Sequence, residues 1–254
     1  MKKINVISRN DSLSIQAKQY AINKLKEHFI IEEDNPDLCI SIGGDGTLLK
    51  AINKYIDNID NIKFISVHSG TLGFFSDYVV EEIDNCINDI ITKDGFITPY
   101  DLLQCTNNDQ NYYAVNDIRL ESITKTQIIN VYINDHYLET FRGNGLLVCT
   151  QLGSTAYNRS LSGAIIDHNL SCIQLTEISA INRQKYPTCG SSIIFNKDTI
   201  ITFKGDFDNS YLINDQTNHT IDGIQSIVIR LSNKRVNILR YKKVEYLDRI
   251  KTLF

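Results

Sequence analysis

No stretch of this sequence is apolar for long enough to cross a membrane. The opening Met1-Lys2-Lys3-Ile4-Asn5-Val6-Ile7 is too short for a secretory apolar segment and reads as a first strand. Positive charge is not in excess: 26 Lys and Arg face 30 Asp and Glu, and the formal net charge of −4 argues against broad electrostatic binding to nucleic acid. The basic run Lys234, Arg235, Arg240, Lys242 and Lys243 reads as a solvated face. Six cysteines (Cys39, Cys86, Cys105, Cys149, Cys172 and Cys189) fall at no metal-ligand spacing, and five scattered histidines form no cluster. Thiols inside apolar runs act as small hydrophobes, so the expectation is a reduced, cytoplasmic protein. Internal repeats and low-complexity linkers are also missing, which predicts parts that pack closely. What remains is an ordinary globular composition, 42% hydrophobic and 22% charged over 254 residues. That is enough for one large domain or two small ones.

The first hundred residues alternate. Apolar strands are predicted at 4–8, 37–42 and 62–67, and helices at 14–29, about 48–56 and 81–91. The loop Asn10-Asp11-Ser12 supplies an N-cap for the first helix. This β-α-β-α-β-α order predicts a Rossmann-like parallel sheet covered by helices. Near Pro99 the texture changes to short β-branched and aromatic runs divided by turn residues. Strands are predicted at 100–106, 111–120, 127–133, 136–141, 145–150, 172–179, 193–195, 199–203, 211–214, 226–231 and 235–240. One helix-like piece, about 155–166, interrupts them. The expected architecture is an α/β domain over 1–98, joined by a returning segment 235–254, and an antiparallel β-sandwich-like domain over 99–234.

Three stretches carry chemistry. The strand 37–42 runs into Gly43-Gly44-Asp45-Gly46-Thr47, where the glycines admit a ligand to the backbone and the following helix favours phosphate. Leu49 stands at the third glycine position of the dinucleotide fingerprint, and no Gly-Lys-Ser/Thr is present for a P-loop. Alone, the turn fits a phosphate site and a plain tight turn equally well. The second stretch is Phe141-Arg142-Gly143-Asn144-Gly145, followed after a strand by Gln151-Leu152-Gly153-Ser154-Thr155-Ala156-Tyr157-Asn158-Arg159-Ser160. Its hydroxyls, helix start and guanidinium suit a phosphate or ribose. Ser154 or Thr155 is expected as an N-cap, and Tyr157 either stacks on a base or belongs to the core. In the third stretch, Asn116 and Asp117 interrupt an apolar strand pattern. A bulge, a hairpin turn or a ligand explains them, since an amide can pair with an adenine edge and a carboxylate can accept from ribose hydroxyls. His68, at a strand end, is a weaker candidate.

Taken in order, Gly43 to Thr47, His68-Ser69-Gly70-Thr71-Leu72-Gly73-Phe74, Asn116-Asp117, Arg142 to Gly145 and Gly153 to Tyr157 resemble the NAD kinase family. The chain is similar to the short form found in Gram-positive-type bacteria. The resemblance implies phosphate transfer from ATP, with Mg²⁺ or another divalent cation, to the 2′-hydroxyl of the adenosine ribose of NAD. It implies Asp45 as the catalytic carboxylate and Gly43, Gly44, Gly46 and Thr47 as the phosphate-donor turn. Implied NAD contacts are Asp45, Gly46, Asn116 at the adenine, Asp117 at ribose hydroxyls, Arg142, Asn144, Ser154, Thr155, Ala156, Tyr157, Asn158, Arg159, Ser160, Ser179 and Gln216. No protein ligand to a metal is assigned. Implied partners are NAD and ATP, with a homotetramer or homodimer in the cytoplasm and neither nucleic acid nor membrane. Four positions depart from the family pattern: Asp117 for Glu, Asn144 for Asp, Gln151-Leu152 for Pro-Thr, and Thr71 where a second His is common. The Gly-Gly-Asp-Gly-Thr turn also resembles that of diacylglycerol and sphingoid lipid kinases. A dinucleotide-binding sensor without catalysis is a further alternative.

Overall fold

The glycine turn ends a strand whose six residues, Leu38–Gly43, are all buried, as expected of a strand covered on both faces. The computed structural model describes residues 1–70, 73–108, 110–182 and 187–251. It divides into two units, Met1–Tyr100 with Lys234–Phe254, and Asp101–Asn233.

In the first unit β1 (Lys3–Ser8), β2 (Ile30–Ile31), β3 (Leu38–Gly43) and β4 (Lys63–His68) run parallel in the order β2-β1-β3-β4. The short β5 (Tyr78–Val79) adds to β4, and so do Asn237 and Ile238 from the returning segment. Ile4, Val6, Ile40, Ile42, Ile65 and Val67 pack under α1 (Ser12–Leu25) and α3 (Ile83–Thr92). On β3, Cys39 and Ser41 alternate to the other face, and α2 (Asp45–Lys54) lies on β3 and β4 with Leu48, Leu49, Ala51 and Ile52 buried. Asp11 caps α1, accepting the Ser14 N–H at 3.0 Å. Helix α2 begins three residues before its apolar pattern. Asp45 and Gly46 add nothing to periodicity, yet an acidic residue in the first turn suits the helix dipole.

The second unit holds most of the strands β6 (Phe96–Asn107), β7 (Gln110–Ala114), β8 (Asp117–Glu121), β9 (Gln127–Ile133), β10 (His136–Gly143), β11 (Gly145–Thr150), β12 (Cys172–Ile178), β13 (Ile193–Asn196), β14 (Ile201–Gly205), β15 (Tyr211–Asn214), β16 (Thr217–Thr220) and β17 (Ser226–Arg240). Among the described residues, one antiparallel sheet has six strands in the order β13-β12-β11-β8-β15-β16. The other carries β10-β9-β14-β17, and β6 and β7 form a hairpin. Leu120, Leu146, Val148 and Leu175 from the first meet Ile129, Val131, Phe203 and Ile229 from the second in one buried core, a sandwich as expected.

Three local expectations change. The run 111–120 is two strands belonging to different sheets, with Val115 and Asn116 at the corner. The runs 226–231 and 235–240 are the single strand β17. The helix expected at 155–166 shrinks to a 3₁₀ turn, Gly153–Thr155, and α4 (Tyr157–Ser160). There the Asn158 amide donates to the Ser154 and Ala164 carbonyls, and Ser162 takes the left-handed backbone (φ 63°), which ends the helix. Tyr157 and Leu161 then cover Leu147 and Cys149 on the outer face of β11, with Ile178 of β12 beside them. This second covered face explains why β11 is buried throughout.

Candidate functional site

In the first unit the turn is closed by contact. A Cβ on Gly43 would collide with the Thr47 hydroxyl and come within 3.0 Å of the Arg9 Cβ, so only glycine lets β3 bend this sharply into α2. Gly44 is the N-cap, and the Thr47 N–H donates to its carbonyl at 2.8 Å. The Asp45 carboxylate is fixed from across the loop: Oδ2 accepts the Phe74 N–H at 2.9 Å and Oδ1 the Phe75 N–H at 3.3 Å. Gly73 lies flat against this carboxylate. A Cβ there would strike Asp45 Oδ1 and sit 2.6 Å from the His68 ring. Adjacent strands pair His68 with Gly43, and its buried Nδ1 has no hydrogen-bond partner among the described residues. Gly43, Gly44, Asp45, His68 and Gly73 thus form one group, although the sequence presents them as two motifs. Gly46 and Thr47 occupy the first turn of α2, and Thr71 and Leu72 lie outside the described residues. A carboxylate, an imidazole and a helix N-terminus around glycines suit an anion beside a proton acceptor.

In the second unit the corner at Asn116 and Asp117 is held by a residue that sequence reading missed. The Asp215 carboxylate accepts three successive backbone N–H groups, from Val115 (2.8 Å), Asn116 (2.7 Å) and Asp117 (3.2 Å). Asp215 sits with φ 49° in the turn between β15 and β16, and its own N–H returns to the Asp117 carbonyl. Burial pushes Asp117 up to about 7 against the pull of Arg119, with Asp215 adding to the rise; Asp215 is likewise raised by burial. Arg119 Nε is 3.1 Å from Asp117 Oδ1. The pair is misaligned for a hydrogen bond, and neither atom has a partner among the described residues. The same guanidinium stacks 4.6 Å from the Tyr157 ring centre. Asn116 Oδ1 is buried and has no partner among the described residues, which leaves an acceptor for a ligand.

The 150–160 loop is fastened to this corner. Thr150 donates to the Val115 carbonyl at 2.6 Å and accepts the Leu152 and Gly153 N–H groups at 3.1 Å each. Gly153 lies so close that a Cβ would overlap the Asn116 carbonyl. Ser154 and Thr155 do not cap a helix. The Ser154 hydroxyl donates to Gln151 O and accepts the Ile166 N–H, and Thr155 donates to Leu152 O. Asn158 is buried, its amide turned inward to accept from Thr176 as well. Arg159 and Ser160 are exposed, and Ala156 and Tyr157 are half-buried. Gln151 takes a buried place, its Oε1 without a partner among the described residues. Arg142 and Asn144 flank Gly143, against which the backbone of exposed Ser179 (φ 48°) is packed. Gln216 is exposed beside Asp215.

Sequence comparison covers both units. Residues 3–95 match the family described as ATP-NAD kinase N-terminal domain, and residues 115–240 match the ATP-NAD kinase C-terminal domain. The chain belongs to the NAD kinase family. Among similar proteins, the NAD kinase of Latilactobacillus sakei subsp. sakei is 35% identical over 260 residues, covering 99% of this chain and 97% of its own. That of Lacticaseibacillus paracasei is 35% identical over 259 residues, with 99% and 98% covered. The fold is similar to that of the yeast NADH kinase solved with NADH, with a TM-score of 0.85 at 18% identity and 99% and 86% of the two chains covered. The NAD kinase of Archaeoglobus fulgidus solved with ATP gives 0.80 at 18% identity, with 99% and 98% covered. The Rossmann-like and sandwich-like expectations are borne out, and family membership replaces the lipid-kinase alternative. No helix among the described residues is long and apolar enough to cross a membrane.

Proposed function

We propose that this NAD kinase family member transfers the terminal phosphoryl group of Mg-ATP to the 2′-hydroxyl of the adenosine ribose of NAD, giving NADP. The observation that carries the reading is the Asp45 carboxylate, fixed at the head of α2 by two loop N–H groups beside a turn free of large side chains. Each carboxylate oxygen accepts one N–H and keeps room for a hydroxyl donor. A carboxylate is a far weaker base than an alkoxide and cannot hold the hydroxyl deprotonated before transfer. Phosphoryl transfer passes through a loose transition state, so Asp45 serves by orienting the hydroxyl and taking its proton late. Mg²⁺ comes with the triphosphate as part of the substrate. Gly43, Gly44, Gly46 and Thr47 hold the donor, with His68 at their edge.

In this reading Asn116 binds the adenine and Asp117 the ribose hydroxyls. Tyr157, Ala156, Ser154, Thr155, Asn158, Arg159, Ser160, Arg142, Asn144, Ser179 and Gln216 complete the NAD contacts. Ser154 and Asn158 contribute by shaping the loop, since their polar atoms are engaged internally. The protein is read as a cytoplasmic homodimer or homotetramer. Its six cysteines are free thiols, and burial pushes Cys39 and Cys105 up to about 12, which suits a reducing compartment. The test is Asp45→Asn assayed with NAD, ATP and Mg²⁺: turnover falls at least about 100-fold, as for a lost general base, while NAD binding stays nearly intact. Near-normal turnover overturns the assignment. A wild-type protein that binds NAD but forms no NADP restores the sensor reading.

A further inference from the structure

The loop that fixes Asp45 is itself held by α5 (Tyr246–Lys251). Arg249, buried at 6% exposure, donates through one nitrogen, Nη1, to the carbonyls of Phe74 (2.6 Å), Ser76 (2.9 Å) and Gly73 (3.4 Å). Its other terminal nitrogen, Nη2, meets the Asp77 carboxylate, which also receives Arg240 from β17. Tyr246, one turn earlier on the same face of α5, sets its ring edge-on to Phe74 with centres 5.7 Å apart. The far end of the loop is anchored separately, Ser76 Oγ lying 2.7 Å from Ser66 Oγ on β4.

We infer that Arg249 is a positioning residue for the reaction, acting on the Asp45 carboxylate through the backbone of residues 73–76. Peptide groups couple the two sides of the loop. The carbonyls of Gly73 and Phe74 that Arg249 binds belong to the same peptide planes as the Phe74 and Phe75 N–H groups that bind Asp45. Pulling on the oxygen of a planar peptide therefore aims the N–H on its other edge. A guanidinium can serve several carbonyls at once because its donors are fixed in a planar fork; an ammonium supplies only a point of charge. Without this clamp the two N–H groups lose their fixed aim, and the carboxylate is free to rotate off the reacting hydroxyl. A misplacement of about 1 Å at a reacting group can cost about 100-fold in rate.

The inference rests on Asp45 as the proton acceptor. Arg249→Ala, assayed as the full chain with NAD, ATP and Mg²⁺, is expected to lose at least tenfold in kcat with the NAD dissociation constant unchanged within twofold. Arg249→Lys is expected to recover part of the loss. Amide hydrogen exchange at Phe74 and Phe75 should speed up at least tenfold in Arg249→Ala. Should that variant fail to fold, Tyr246→Leu keeps the guanidinium and is expected to show a smaller change of the same kind in both kcat and exchange. Unchanged exchange at the two amides, or a loss that appears equally in NAD affinity, overturns the inference. Near-normal turnover in Asp45→Asn overturns the underlying reading instead, and the exchange measurement still reports whether Arg249 holds the loop.

Discussion

Asp215 looks like an unremarkable turn residue in Asn214-Asp215-Gln216-Thr217, yet three backbone N–H groups of the Asn116–Asp117 corner end on its carboxylate. Hydrogen bonds to a charged acceptor contribute about 1.5–3 kcal/mol each, and buried donors left without one are costly. Removing the carboxylate also relieves its repulsion with Asp117, so the net loss is smaller than the sum. Asp215→Ala is expected to destabilise the fold by about 3 kcal/mol in denaturant titration and to weaken NAD binding at least tenfold, with Asp215→Asn between the two. An NAD affinity equal to wild type would separate the corner from the NAD site. Asn116 and Asp117 could be singled out in the sequence because polar residues interrupted an apolar strand. Asp215 could not, because its partners are backbone groups about a hundred residues away, and backbone donors leave no trace in residue type. Arg249 was hidden in the same way, since three of its acceptors are the backbone carbonyls of Gly73, Phe74 and Ser76.

At the level of elements, most strands and helices were legible because burial on one or both faces writes a period or a continuous apolar run. Two of the three errors fall where a polar side chain decides the backbone path. Run 111–120 keeps its apolar spacing through a corner between two sheets, and the helix expected at 155–166 is cut short by Asn158 and the left-handed Ser162. Thr150 shows how a single hydroxyl can carry an element. It joins the Asn116 corner to the 151–153 turn with one donated and two accepted bonds. Thr150→Val preserves shape and removes all three. Destabilisation of about 2 kcal/mol is expected, since two turn N–H groups and one carbonyl lose buried partners. Faster amide exchange should be confined to residues 151–153 and their neighbours. A change spread evenly over both sheets would instead mean that the hydroxyl serves packing at large.

Across the whole molecule, the buried carboxyls set a pH dependence opposite to that of surface ion pairs. Burial raises Asp117 to about 7, and also raises Asp215 and Glu139, whereas an unfolded carboxyl titrates near pH 4. Below about pH 4 these groups are protonated in both states, and they contribute their full stability there. As pH rises, the unfolded chain releases protons that the folded chain still holds, so this contribution drains away through about pH 7. Glu82 has the other sign: its hydrogen bond from Lys242 lowers its pKa, so its contribution exists above the unfolded value and is lost in acid. The expected profile rises out of acid and then declines toward neutrality. Asp117→Asn should flatten part of that decline, so the Tm difference between variant and wild type moves in the variant's favour from about pH 5 to about pH 8. A constant offset would show that Asp117 ionises as an ordinary carboxyl. The same shift gives NAD binding a proton signature. If Asp117 accepts ribose hydroxyls it binds as the carboxylate, so NAD should release a fraction of a proton near pH 6–7 and bind more tightly as pH rises. Calorimetry in two buffers of different ionisation enthalpy measures that release, and none at all would remove Asp117 from the ribose.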